Sequence, residues 1–242
     1  MKSITADLLY DKLINEDNIL TVKGQIRFYL GDVDIVVKQR DVVGNIMQEW
    51  LEGWLKKNDI EYGANENTQM PPDIYLNPRN KQEDMLEVKA FNYQATPGFD
   101  IADFRAFHNE IVAKPYMLHV KYLIFGYVMS DDGYVSIKNV WLKSVWEITR
   151  PMAKWALNLQ IKEGVVHKIR PAKFYAKPNK FDTFKTLEDF LSAMEECVYQ
   201  NPETHKNASM WKHNIVDAYK KHYGITLKIP RWHDICSRYV LK

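Results

Sequence analysis

Cysteine is scarce in this sequence: Cys197 and Cys236 are the only two in 242 residues. That number supports neither a disulfide scaffold nor a cysteine-rich zinc module. Long apolar runs are also missing, the best being Tyr122 to Met129, too short to span a bilayer. The opening residues, Met1 to Asp7, carry no signal-peptide apolar region, so the expectation is a soluble cytoplasmic protein with no membrane partner. The sequence has no Walker loop, no Gly-X-Gly-X-X-Gly, no nucleophile elbow and no internal repeat. Its seven histidines show no metal-ligand spacing.

What is present is globular in character: 46% hydrophobic and 26% charged residues. The net charge of +2 hides an asymmetry. Residues 1–149 hold 16 Lys and Arg against 22 Asp and Glu, and residues 150–242 hold 17 against 9. An acidic front and a basic rear suit a protein that handles both cations and a polyanion.

Two short apolar segments carry the chemistry. Pro71 to Leu76 and Asp84 to Phe91 each read as a strand bounded by Pro, Asn and charged residues. Alternation places Glu87 and Lys89 on one face and Leu86, Val88 and Ala90 on the other. A hairpin around Asn77 to Asn80 would set Asp73 beside Glu87. Two carboxylates and an ammonium would then share a site. Mg²⁺ suits such a site, since it binds one or two carboxylates and keeps several waters. The alternative is a half-buried strand with a surface ion pair.

The remaining elements follow in order. Ser3 to Asn15 has helical spacing, and Thr21 to Lys38 alternates and turns at Gly31-Asp32, a scaffold without evident chemistry. Val42 to Lys57 reads as a helix with Ile46, Trp50, Trp54 and Leu55 as its stripe, Glu49 beside it and Gln48 next to that. Ile60 to Gly63 reads as a short strand. Asp100 is the expected N-cap of a helix through Val112, with Asp103 completing a capping box. Tyr122 to Met129 reads as a buried central strand, and Tyr134 to Thr149 as one or two more. Thr186 to Gln200 and Asn207 to Tyr223 read as helices. From Arg150 onward, before the first of these, lies a basic stretch in which Asn158, Gln160, Lys162, Lys168, Arg170 and Lys173 are candidates for DNA contact, as is Gln94 in the loop after Phe91. Each is equally a solvated surface group.

Pro72-Asp73, a spacer, then Glu87-Val88-Lys89 resembles the PD-(D/E)XK nuclease signature. Residues Val43 to Trp50, Asn67 to Asp73, Leu86 to Lys89 and Leu157 to Pro171 together are similar to the NgoBV/NlaIV group of type II restriction endonucleases. The resemblance covers most of the chain. It implies an α/β fold with a restriction-endonuclease-like core, a central mixed sheet flanked by helices, with an N-terminal hairpin and C-terminal helical additions. It implies one nuclease domain over 1–242, with the catalytic core at about 42–130 and the basic, helical region at about 150–242. It assigns catalytic roles to Asp73, Glu87, Lys89 and Glu49, with Asp73, Glu87 and Glu49 holding Mg²⁺. It further implies a homodimer that hydrolyses both strands of double-stranded DNA at a palindrome of the form GGNNCC, with a companion DNA methyltransferase acting on the same site. Two other readings stay open: a repair or junction-resolving nuclease on the same core, and a non-catalytic DNA-binding protein.

Overall fold

The computed structural model describes residues 2–65 and 70–241. The segment Asn67 to Gln69, part of the resemblance above, lies outside them. The chain forms two compact units, Met1–Phe99 with Val120–Lys143, and Asp100–His119 with Ser144–Lys242.

The first unit is built on a six-stranded mixed sheet. Its strands are β1 (Lys23–Gln25), β4 (Gly63–Ala64), β5 (Ile74–Tyr75), β6 (Met85–Asn92), β8 (Lys121–Met129) and β9 (Tyr134–Ser144), in the spatial order β1-β9-β8-β6-β5-β4. The β6–β8 pair is parallel and pairs Glu87 with Tyr122; β5 runs antiparallel to β6 with Ile74 opposite Leu86. A separate two-stranded ribbon, β2 (Arg27–Leu30) and β3 (Val33–Val36), turns at Gly31-Asp32, where Gly31 has a φ of 58°. Two helices complete the unit: α1 (Ala6–Asp11), capped by Thr5, and α2 (Val42–Lys57), which packs on β6. The residues α2 buries are Val43, Met47, Leu51, Trp54 and Leu55. They meet Leu86, Val88, Leu123 and Phe125 of the sheet in one core. Their i, i+4 and i+3 spacing is that of a single helical face.

The second unit holds a three-stranded sheet, β10 (Leu159–Lys162), β11 (Val165–Ile169) and β7 (Ala102–Asp103). Around it lie α3 (Phe104–Ala113), α4 (Leu187–Gln200), α5 (Ala208–Tyr223) and α6 (Trp232–Ile235). Here the expected cap is corrected. Residues 102–103 are drawn into the sheet opposite Lys168 and Ile169, so the helix starts later and Asp103 is its N-cap, accepting from the amides of Arg105 and Ala106. Asp100 instead pairs with Arg170. The long stretch from Tyr134 also differs: it is one strand to Ser144 and then a 3-10 turn, Val145–Ile148, closed by a capping box between Ser144 and Glu147. No helix among the described residues is long and apolar enough to cross a membrane.

One interaction ties the end of the second unit to α4. The Tyr239 hydroxyl donates to the carboxylate of Asp189, and both residues are buried. Loss of that donor leaves a buried carboxylate oxygen with one hydrogen bond fewer. Tyr239→Phe is expected to cost ~1–3 kcal/mol, read as a lower urea midpoint at unchanged m-value; an unchanged midpoint would show the bond to be dispensable.

Candidate active site

The β5–β6 pairing does what the alternation predicts. Asp73 directly precedes β5, whose ladder is shorter than the predicted strand and contains only Ile74 and Tyr75. The Asp73 carboxylate accepts from the backbone N–H of Val88 at 2.8 Å. That bond fixes the carboxylate against β6, one residue from both Glu87 and Lys89. Lys89 and Glu87 share a face, with Nζ 2.6 Å from Oε1. Leu86 and Val88 point the other way, into the core under α2.

Glu87 is 4% exposed, and its second oxygen, Oε2, has no hydrogen-bond partner among the described residues. Burial pushes this carboxyl up to about 7; Lys89 pulls the other way and Asp73 adds to the rise. Asp73 is raised too, mainly by burial, against the Val88 bond and Lys89, with the charge of Glu52 adding to the rise. Tyr122, beside Glu87 on β8, is fully buried and held protonated by that burial and by the two carboxylates. A buried anion with an unsatisfied oxygen is expensive unless something cationic completes it.

The residues present fit a divalent cation. Asp73 and Glu87 offer hard oxygen donors, and Glu87 Oε2 is the orphan that a cation would satisfy. Among the described residues no group of three or more acidic, His or Cys side chains converges as a metal cluster. A site of two carboxylates suits Mg²⁺, which keeps much of its water shell. Beside them opens a cavity of about 570 Å³ whose lining includes Asp73, Lys89, Gln48, Asn45 and Asn92. The α2 residues reach it closely: a Cβ at Gly44 would lie 3.8 Å from the Ala90 carbonyl oxygen.

Glu49 is not brought to this site. It is exposed and absent from the cavity lining. The reason is helical phase: α2 lines the cavity through Gly44, Asn45 and Gln48, and at 100° per residue Glu49 is turned about 100° from Gln48 and about 140° from Gly44. The acidic residue of α2 that does act on Asp73 is Glu52. Gln48 Nε2 donates to one Glu52 oxygen at 3.4 Å and the Tyr62 hydroxyl to the other at 3.3 Å. Gln48 and Glu52 are one turn apart, so the signal was available in the spacing.

The DNA-contact candidates divide. Gln94 is exposed in the loop after β6, whose Asn92, Thr96 and Gly98 line the cavity. In the second unit, Gln160 is half-buried and Lys162 exposed on the β10–β11 hairpin. Asn158 is occupied structurally: its side-chain amide donates to the carbonyls of Arg170 and Pro171. Lys168 pairs with Asp103 at 3.7 Å and Arg170 with Asp100. Lys173 is exposed, its Nζ 5.8 Å from the Tyr175 ring centre.

The profile of the NgoBV restriction endonuclease family matches residues 3–239. The type II restriction enzyme NlaIV of Neisseria lactamica is 59% identical over 243 residues, covering 100% of both chains. The type II restriction enzyme NgoBV of Neisseria gonorrhoeae is 53% identical over 164 residues, 68% of this chain and 93% of that one. The solved structure of the NlaIV restriction endonuclease superposes with a TM-score of 0.96, over 99% of this chain and 98% of that one. A profile match over nearly the whole length, joined to this level of identity, makes the chain a member of the NgoBV restriction endonuclease family.

Proposed function

We propose that this protein is a type II restriction endonuclease that hydrolyses both strands of double-stranded DNA with Mg²⁺, as a homodimer, at a palindrome of the form GGNNCC. The observation that carries the chemistry is the meeting of Asp73, Glu87 and Lys89, with Asp73 and Lys89 lining the cavity and one buried Glu87 oxygen unsatisfied. The names and identities of the relatives support the site-specific reading. A two-fold symmetric dimer matches a two-fold symmetric site. Both units then serve one nuclease, in a cytoplasm where a methyltransferase shields the host's own sites.

Asp73 and Glu87 would hold the cation, and the negative charge of Glu52 acts on Asp73. When bound, such an ion polarises a phosphoryl oxygen and lowers the pKa of a bound water. The chain's own residues do the rest. The Val88 N–H keeps Asp73 from rotating away. Glu87 Oε1 holds the Lys89 ammonium at the cavity. From there Lys89 donates to the attacking water or to a phosphoryl oxygen and offsets the charge that develops in the transition state. The water oxygen bonds to phosphorus as the P–O bond to the leaving oxygen breaks; the water gives up one proton to solvent and the leaving oxygen takes one up, leaving a phosphomonoester and a hydroxyl. Gln94 and the exposed groups of the β10–β11 hairpin supply contacts to base edges and phosphates.

Digestion of a mapped plasmid, with Mg²⁺ or with EDTA, tests this. Discrete fragments ending within GGNNCC are expected with Mg²⁺ alone. Asp73→Ala, Glu87→Ala and Lys89→Ala should each slow cutting by at least about 10²-fold. Glu52→Ala should slow it roughly 10- to 100-fold, as loss of a group supporting a metal ligand does, while Glu49→Ala leaves the rate unchanged. Nicking confined to branched DNA would point to junction resolution instead, and DNA binding without any cutting would end the enzyme reading.

The protonation of Glu87 gives a second test. The folded protein keeps this proton up to about pH 7, against an ordinary value of 4.5. Between those values the folded state binds more protons than the unfolded chain, so metal-free stability falls as pH rises through that window. Glu87→Gln removes the titration. It should gain ~1–3 kcal/mol relative to wild type at pH 8 in EDTA and little at pH 5, while cutting is lost. Urea unfolding at the two pH values reads the difference; an equal offset at both would contradict the assignment.

A further inference from the structure

A glycine in the middle of a buried strand adds no packing and weakens the ladder, and it often marks a close approach. Gly126 holds such a position on β8, directly opposite Phe91 of β6 in the parallel register. Phe91 follows Glu87 and Lys89 by even steps along β6, so the three side chains share one face of the sheet. Where Gly126 lacks a side chain, aromatic rings take its place. A Cβ there would lie 2.9 Å from Cδ2 of Tyr93 and 3.0 Å from Cζ3 of Trp141 on β9.

These rings form a clamp. Trp141 stacks on Phe91 with centroids 5.8 Å apart at 21°, and on Tyr93 at 6.1 Å and 26°. Phe99 packs against Phe91 at 6.3 Å and 54°. Tyr93 and Phe99 flank the loop that leaves β6, so residues 94–98 are held at both ends on one Phe91–Trp141 platform. Backbone bonds from Tyr93 N to Tyr127 O at 2.8 Å and from Ala95 N to Asn92 O at 2.9 Å brace its first turn. The part between the anchors is uncharged and small. Gln94, Ala95, Thr96 and Gly98 are exposed, and Thr96 and Gly98 line the cavity with Asp73 and Lys89. A Cβ at Gly98 would meet nothing within 4 Å. A loop of this kind lets a nucleic-acid backbone come close to main-chain N–H groups.

We infer that Tyr93, Trp141 and Phe99, set over Gly126, are positioning residues that hold the 94–98 loop in the shape that meets DNA at the cavity. The inference rests on the proposed function, in which DNA is cut there, and adds the device that readies the loop. The stack is not simply core, since Tyr93 at its end is 37% exposed. A loop already in its bound shape loses less freedom when DNA arrives, so the clamp acts on binding. The chemical step rests on Asp73, Glu87 and Lys89, which the clamp does not include.

Single-turnover cleavage by the full chain separates the two effects. The substrate is a short duplex bearing the site that the plasmid digest identifies, and enzyme concentration is varied. Tyr93→Ala and, separately, Gly126→Ala should raise the half-saturating concentration roughly 10-fold or more, with the saturating rate within about 3-fold of wild type. Tyr93→Phe keeps the ring and should match wild type. Tyr93→Ala and Gly126→Ala together should cost less than the sum of each alone, because they disturb one contact. In the DNA-free protein, amide exchange at residues 93–98 should quicken at least about 10-fold in both variants while residues 85–90 stay protected. Tyr93 is partly exposed, so Tyr93→Ala keeps the test open should Gly126→Ala unsettle the sheet. Variants that cut as wild type does overturn the clamp. So does a lowered saturating rate at unchanged half-saturation, or a loop that exchanges no faster. A wild type that cuts no DNA overturns the nuclease reading and this inference with it, whereas a cutting wild type with indifferent variants overturns the clamp alone.

Discussion

A carboxylate buried in the middle of a sheet is the constraint on which the rest depends. Glu87 sits on the central strand β6, almost without exposure, with one oxygen on Lys89 and the other unsatisfied. Such a group opposes folding, and the apolar packing of Leu86, Val88 and their partners on α2 opposes that in turn. The same strand thus carries core on one face and chemistry on the other, separated by nothing more than the pleat. Asp73 is held to it by the Val88 N–H rather than by a long ladder. Pinning the carboxylate through one backbone donor sets its position while leaving its outer lone pairs for a ligand.

Around that pair the other groups fall into place by charge. Lys89 offsets one negative charge, and Glu52 adds one that acts on Asp73. In the proposed function this balance keeps the site attractive to a cation while still presenting an ammonium to a phosphate. The relatives named as restriction enzymes match this chain along nearly its full length or most of it, so the arrangement sits within a family whose members act on a polyanion.

The strand chemistry was legible because period two is unambiguous over Leu86 to Ala90. Helix α2 was legible in its bounds and in part of its buried face. Of the expected stripe, Trp54 and Leu55 are buried with Val43, Met47 and Leu51, while Ile46 and Trp50 are only partly buried; Glu49 comes from the family resemblance, which points to an acidic residue on this helix without fixing which one. A tryptophan-rich helix is ambiguous in this way, since large aromatics can lie at the edge of a buried face as well as at its centre. Tyr122 was invisible as a neighbour of Glu87, because parallel pairing across a helical crossover has no local signature. The α3 cap was misassigned for a similar reason: Asp100 and Asp103 are equally good caps locally, and a distant strand, β11, decides between them.

Calorimetric titration of the metal-free protein with Mg²⁺, in buffers of different ionisation enthalpy, addresses the buried carboxylate most directly. In the proposed function, cation binding displaces the proton that Glu87 retains up to about pH 7. Release approaching one proton per site is expected at pH 6, falling toward zero at pH 8, with the pH dependence lost in Glu87→Gln. Proton release that is the same at both pH values, or that persists in Glu87→Gln, would contradict the account.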